Sequence, residues 1–366
     1  MNTRFYRNVL LKALLLFVIF NLLLVFLPRV TGKDQLSLYN NLVPGRQRFP
    51  FGEAPQQAYN FSLYDLDAMF SSHEVSARTG SKDEFRVFLL GDSSVWGTLL
   101  KPEETLAGQL NAAGLSCQGV PVKFYNHGYP TISLTKDLMV LERAMRYDPD
   151  LIIWLTTLEA FPLEKQLASP LALNNPGRIQ PLVEQYNLPL EVTPPAEDFW
   201  SRTLWGQRRD LADWLRLQVY GVMWAATGFD QFYTDYEPAA WDLAADENYF
   251  EFSPPDLPNE QLLWQALPAA LDIAGGTPLL LVNEPIMISA GENSDVHYNF
   301  FYPRWAYDQY REELIQRAQH LAIPTIDAWD WIDPHEFTNS AIHLTPVGEE
   351  ALAQDLKDEI LDGLCP

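Results

Sequence analysis

Three short stretches of this 366-residue chain carry residue types suited to nucleophilic acyl chemistry. The first is Gly91-Asp92-Ser93-Ser94, which ends the apolar run Val87 to Leu90. A serine hydroxyl is a weak nucleophile until a base takes its proton. A turn at the end of a strand exposes such a hydroxyl. A helix start just behind it aims backbone N–H groups at a developing oxyanion. Ser and Asp at such a place also cap helices, so this stretch alone has two readings. The second stretch is Tyr125-Asn126-His127-Gly128-Tyr129-Pro130. Gly128 lets its backbone approach a substrate closely, and its N–H is a candidate second oxyanion donor. His127 is read as a turn histidine that hydrogen-bonds locally. The third is Ala341-Ile342-His343-Leu344-Thr345-Pro346. His343 stands just ahead of a helix start, with Pro346 near the first helical position and Glu349 and Glu350 in the first turn. A histidine held there can reach back to the first strand as a general base. A lone one there also serves as a cap or a surface residue.

The elements that must position these residues are visible as an alternation. Apolar β-rich runs at Arg86–Leu90, Val122–Tyr125, Leu151–Leu155, Leu279–Val282 and Pro324–Ile326 predict strands. Helical patterns cover Glu103–Ala112, Leu134–Tyr147, Asn259–Ile273, Tyr302–His320 and Pro346–Leu361. Such alternation predicts an α/β fold, a parallel sheet with helices on both faces. Ligands then sit outside the carboxyl ends of the strands, where all three stretches fall. Residues 29–84 mix Pro, Gly and aromatics without period and read as an ordered lead-in. Residues 161–258 read as an insertion covering one end of the sheet. Its tryptophans, Trp200, Trp205, Trp214, Trp224 and Trp241, pack it onto the core in one reading and wall an acyl chain or sugar in the other.

Taken in order, "LLGDSSVWG", "YNHGYP", "PDLIIWLTTLEA" and "AIHLTPVGEEALA" resemble the SGNH (GDSL) hydrolase family. The resemblance covers roughly residues 85–160 and 275–360. It implies a three-layer α/β/α fold with a flavodoxin-like sheet, a nucleophile at Ser93, a base at His343 and oxyanion donors from the backbone of Ser93 and Gly128. No cofactor or metal is implied. The G-x-S-x-G elbow of α/β-hydrolases is absent.

Two blocks depart from the family pattern. Where the family carries an oxyanion-hole Asn, this chain reads Thr156-Thr157-Leu158-Glu159. A carboxylate aimed at the oxyanion opposes it, and one lost donor costs about 10²–10³ in rate. Thr156 or Thr157 offers a hydroxyl instead, and Glu159 can point away into solvent. Where the family carries an acid three residues before the histidine stands Ser340, with Asn339 before it. Asn339 could orient the ring as an amide, Asp327 or Asp330 could fold in, or Ser93 and His343 could work as a dyad. Asn283 and Glu284, at the fourth strand's end, are auxiliary candidates for the missing Asn or acid. Asp92 joins them as a residue of the nucleophile turn.

Charge and hydropathy set the compartment. The formal net charge is −23; residues 1–33 hold five basic and no acidic side chains, so the remaining body carries −28. So acidic a body argues against a nucleic-acid partner. Two cysteines, Cys117 and Cys365, are too few for a disulfide scaffold, although they could pair. No Cys/His spacing suggests zinc. Residues 9–28 are apolar on every face and about long enough to cross a bilayer, which predicts a single-pass anchor after a short basic tail, residues 1–8. A cleaved signal peptide is the competing reading. Arg4, Arg7 and Lys12 favour a cytoplasmic N-terminus, with the acidic domain, residues 85–366, outside the cell membrane. The family resemblance then predicts a membrane-anchored serine esterase or O-acyltransferase acting on ester groups of cell-envelope glycans or lipids. The alternative is a non-catalytic SGNH-like binding or assembly protein of envelope polysaccharide production.

Overall fold

A computed structural model describes residues 3–26, 42, 45–51, 65–78, 83–193, 198–227 and 235–363. Its helices, in chain order, are α1 (Thr3–Phe26), α2 (Leu66–Ser72), α3 (Ser93–Trp96), α4 (Leu106–Ala112), α5 (Leu134–Ala144), α6 (Pro170–Asn174), α7 (Pro176–Tyr186), α8 (Arg208–Thr227), α9 (Ala266–Ala274), α10 (Arg304–His320) and α11 (Pro346–Gly363). The strands are β1 (Phe85–Leu90), β2 (Ser116–Cys117), β3 (Val120–Asn126), β4 (Leu151–Thr156), β5 (Leu279–Asn283) and β6 (Thr325–Asp327).

The sheet order is β2-β3-β1-β4-β5-β6. Every pairing is parallel except β2 with β3. The five parallel strands thus run second-first-third-fourth-fifth, the flavodoxin-like order with its switch point beside β1. Alternate residues feed two cores. Phe88, Leu90, Ile152, Trp154, Leu279 and Leu281 face the layer of α2, α5, α9 and α10. Val87, Leu89, Ile153, Leu155, Leu280 and Val282 face α4 and α11. Burial on both faces is why these strands read as unbroken apolar runs rather than alternating ones.

The elements differ from expectation in physical detail. The helix expected from Glu103 begins at Leu106, because Pro102–Glu104 forms a 3₁₀ turn and Thr105 caps the helix, accepting from Gly108 N at 3.2 Å. The helix expected over Asn259–Ile273 is confined to α9. Leu263 N donates to Phe161 O at 2.8 Å, which pulls the preceding segment out to pair with the insertion. The short strand β2 has no counterpart among the expected elements. It is turned back by Gln118 and Gly119 at φ 50° and 83°, a two-residue hairpin with both central residues left-handed. The possible Cys117–Cys365 pairing rests on a residue outside those described.

The segment expected as an insertion reaches the His343 loop, where Ala239 N donates to Thr338 O at 2.9 Å. Its tryptophans divide. Trp241 packs against the α4/α11 core, but Trp200 and Trp205 stand outward instead of packing inward. The side chain of Trp224 lies outside those described. Helix α1 is long and apolar enough to cross a membrane.

Candidate active site

The turn after β1 is built to hold a serine at the sheet edge. Asp92 caps α3, its Oδ1 accepting from Ser94 N at 2.8 Å, so Ser93 takes the first helical position. First-turn N–H groups have no intrahelical acceptor. Among the described residues no hydrogen-bond partner of Ser93 N–H is found.

His343 arrives from the other end of the chain. Its backbone is held in a closed turn: Thr338 N and Oγ1 both donate to His343 O, at 2.8 and 3.1 Å. Thr345 then caps α11, accepting from Gly348 N at 3.1 Å. Within that turn Asn339 faces the imidazole. His343 Nε2 lies 2.8 Å from Ser93 Oγ, and Nδ1 lies 2.9 Å from Asn339 Oδ1. An amide oxygen can only accept, so Nδ1 carries the proton and Nε2 presents its lone pair to the serine hydroxyl. Desolvation lowers the His343 pKa to about 4. The ring is therefore neutral, and competent as a base, across the neutral range.

The other candidates fall into three groups. Asp327 and Asn283 do not reach the histidine. Asp327 is ion-paired with Arg311 at 2.6 Å and accepts from Asn283 Nδ2 at 2.8 Å, while Tyr307 and Tyr310 donate to Asn283 Oδ1 at 3.4 and 3.3 Å. This network stitches β5, β6 and α10, so neither residue is the missing acid. Asp330 is exposed.

The oxyanion candidates are largely spent elsewhere. Gly128 N–H donates to Asn126 Oδ1 at 3.0 Å rather than into the pocket. The glycine is required there for a different reason. A Cβ would stand 2.4 Å from Trp96 N and 2.8 Å from Val95 C, because the loop after β3 lies directly on α3. Asn126 Nδ2 fastens that crossing by donating to Val95 O at 2.7 Å. Thr157 Oγ1 donates to Tyr302 OH at 3.1 Å. Thr156 Oγ1 is buried with no partner among the described residues. Glu159 is not solvated; it is mostly buried and bound to Lys165. His127 is core packing rather than a locally bonded turn residue, its ring 4.5 Å from that of Phe88 and stacked on Phe70 at 5.4 Å. Burial holds it neutral, its pKa well below the usual histidine value.

Glu284 belongs to a buried polar cluster beneath the Asp92–Ser94 turn. It is 1 % exposed and accepts a hydrogen bond from Ser94 Oγ. Lys136 Nζ lies 2.6 Å from Asp137 and donates to Gly91 O at 2.7 Å. Three carboxyls, Asp92, Asp137 and Glu284, thus gather around a single cationic side chain. Burial raises the pKa of each, Asp92 to about 6; for Glu284 the Asp92 charge adds to burial and holds it well above the carboxylate range. Ser94, Asn126, Lys136 and Asp137 are absent from the expected site. Asn126 had a readable signal, standing two residues before Gly128, the spacing of an Asx-turn. Lys136 and Asp137 had none, since adjacent charges at a helix start ordinarily face water.

No protein-family model matches the chain, and no curated protein is detectably similar in sequence. Solved structures do resemble it. A member of the lipolytic G-D-S-L family from Veillonella parvula is 11% identical, with 76% of this chain and 99% of that one covered and a TM-score of 0.37. Est24, a carbohydrate acetylesterase from Sinorhizobium meliloti, is 15% identical, with 75% and 97% covered and a TM-score of 0.34. The M. smegmatis aryl esterase is 12% identical, with 76% and 99% covered and a TM-score of 0.34. At such identities and scores the likenesses carry nothing about chemistry, which has to be read from the site's own atoms.

Proposed function

We propose that this chain is a membrane-anchored serine esterase of the SGNH type. The observation that carries the reading is the Ser93–His343–Asn339 relay, with both hydrogen bonds shorter than 3.0 Å. Ser93 Oγ attacks the ester carbonyl carbon while His343 Nε2 takes its proton. The tetrahedral oxyanion lies against Ser93 N–H. His343 returns the proton to the leaving alkoxide, leaving an acyl-enzyme at Ser93. Water, or a glycan hydroxyl in an O-acyltransferase, then takes the acyl group by the reverse proton path. The family resemblance in the sequence favours ester groups of envelope glycans or lipids, and α1 favours a substrate near a membrane, with its N-terminus cytoplasmic and the acidic body outside.

Covalent labelling tests the reading. The full chain in detergent should react with a fluorophosphonate, and Ser93→Ala should not. A wild type that labels no better than Ser93→Ala sinks it. That outcome would favour the non-catalytic binding reading, which draws on the spent Gly128 N–H and on the lack of a carboxylate at His343.

The amide at Nδ1 makes a second prediction. In the transition state His343 becomes an imidazolium, and Asn339 offers it no charge. A carboxylate close to a histidine raises its pKa by a unit or more, and each unit is worth tenfold in an equilibrium. Asn339→Asp should therefore raise kcat/KM for p-nitrophenyl acetate about tenfold. The wild-type profile should lose activity only as pH falls through about 4, where the folded-state imidazole protonates. In Asn339→Asp that acid limb should move upward. A pH–rate profile with no gain and no shift would remove Asn339 from the relay.

A further inference from the structure

Outside α1 the described surface bears thirteen large hydrophobic side chains that stand open to solvent, and six of them lie between residues 199 and 223. Helix α8 buries Leu217 in the core beside α2. It turns Leu215, Val219 and Met223 outward, one stripe at four-residue spacing. In the turn ahead of it Trp200 and Trp205 are 69 % and 65 % exposed. Arg208 lies over the Trp205 ring at 4.8 Å. Residues 199–227 hold four arginines and two aspartates, a local charge of +2 on a body of −28. An outward apolar stripe flanked by arginines and tryptophans is the pattern of a helix lying in a membrane interface.

We propose that the 199–207 turn and the outer face of α8 rest in the headgroup layer of the bilayer that α1 crosses. Trp200, Trp205, Leu215 and Val219 enter the acyl boundary, and Arg208 and Arg209 meet anionic lipid phosphates. Charge separates this occupant from a second copy of the chain. A two-fold self-contact sets one patch against itself, so the same arginines would face each other. The proposal rests on α1 as an anchor and is independent of the esterase reading.

The test uses the full chain, one copy per nanodisc containing anionic lipid, with hydroxyl-radical footprinting. Oxidation of Trp200 and Trp205 should be about threefold lower than in Leu215→Glu/Val219→Glu in the same discs, and intermediate in discs of zwitterionic lipid alone. Buried Trp96 and Trp154 should stay unoxidised in every sample, which shows that the variant is folded. Equal oxidation of Trp200 and Trp205 in wild type and variant overturns the proposal. So does protection that appears only in discs loaded with two chains, the signature of self-association.

Discussion

His343→Ala is expected to lower p-nitrophenyl acetate turnover by about 10²–10⁴, the range supplied by a positioned general base. The variant should remain folded. The turn around residue 343 is held by its backbone carbonyl, which accepts from Thr338 whatever the side chain. Ser93 keeps its place at the start of α3 through the Asp92 cap. What is lost is the 2.8 Å contact at Nε2, the proton acceptor that the described residues offer Ser93 Oγ. Steady-state kinetics with a parallel thermal melt check this. Turnover within twofold of wild type would remove His343 from the mechanism.

Gly128→Ala is expected to damage both stability and reactivity. The added methyl meets Trp96 N, Val95 C and Val95 Cβ at 2.4, 2.8 and 2.9 Å, so it meets backbone that cannot swing aside. Overpacking of this kind costs about 1–3 kcal/mol, and rigid neighbours place it at the upper end. Relief requires the loop after β3 to lift from α3, which carries Ser93. A displacement of about 1 Å at a reacting group can cost 10²-fold. The full chain in detergent should therefore melt lower and label with fluorophosphonate at least tenfold more slowly. Gly177→Ala is the control: nothing lies within 4 Å of its added methyl, so the melt should not fall and labelling should not slow. Unchanged labelling in Gly128→Ala would mean that the loop and the nucleophile turn are not mechanically coupled.

The parallel strands were legible because both faces are buried, which writes each as a short apolar run. Two-residue β2 is too short to write anything. The meeting of Ser93 with His343 was legible because each stands at an element end on the same edge of a parallel sheet. Asn339 was legible only as one option, since a residue four places before His343 faces it through the closed turn made by Thr338. Gly128 was misjudged because the close approach that demands glycine is to α3, and its N–H is taken by its neighbour Asn126. The pairing of Glu159 with Lys165 depends on irregular turns that bring them together across six positions. The burial of Lys136, Asp137 and Glu284 is tertiary, and no local pattern of charged residues announces it.

The 250-residue separation between Ser93 and His343 has a consequence for synthesis and folding. Contacts so distant in sequence form late, after the intervening loop entropy has been overcome by other packing. Under the proposed Ser93–His343 mechanism, a chain still emerging carries its serine long before its base exists. Until the turn that carries His343 is in place, that serine would be an ordinary hydroxyl, inert toward esters. Under that mechanism, fluorophosphonate reactivity at Ser93 would report folding that has brought in the His343 turn, rather than formation of β1 and the turn that bears the serine.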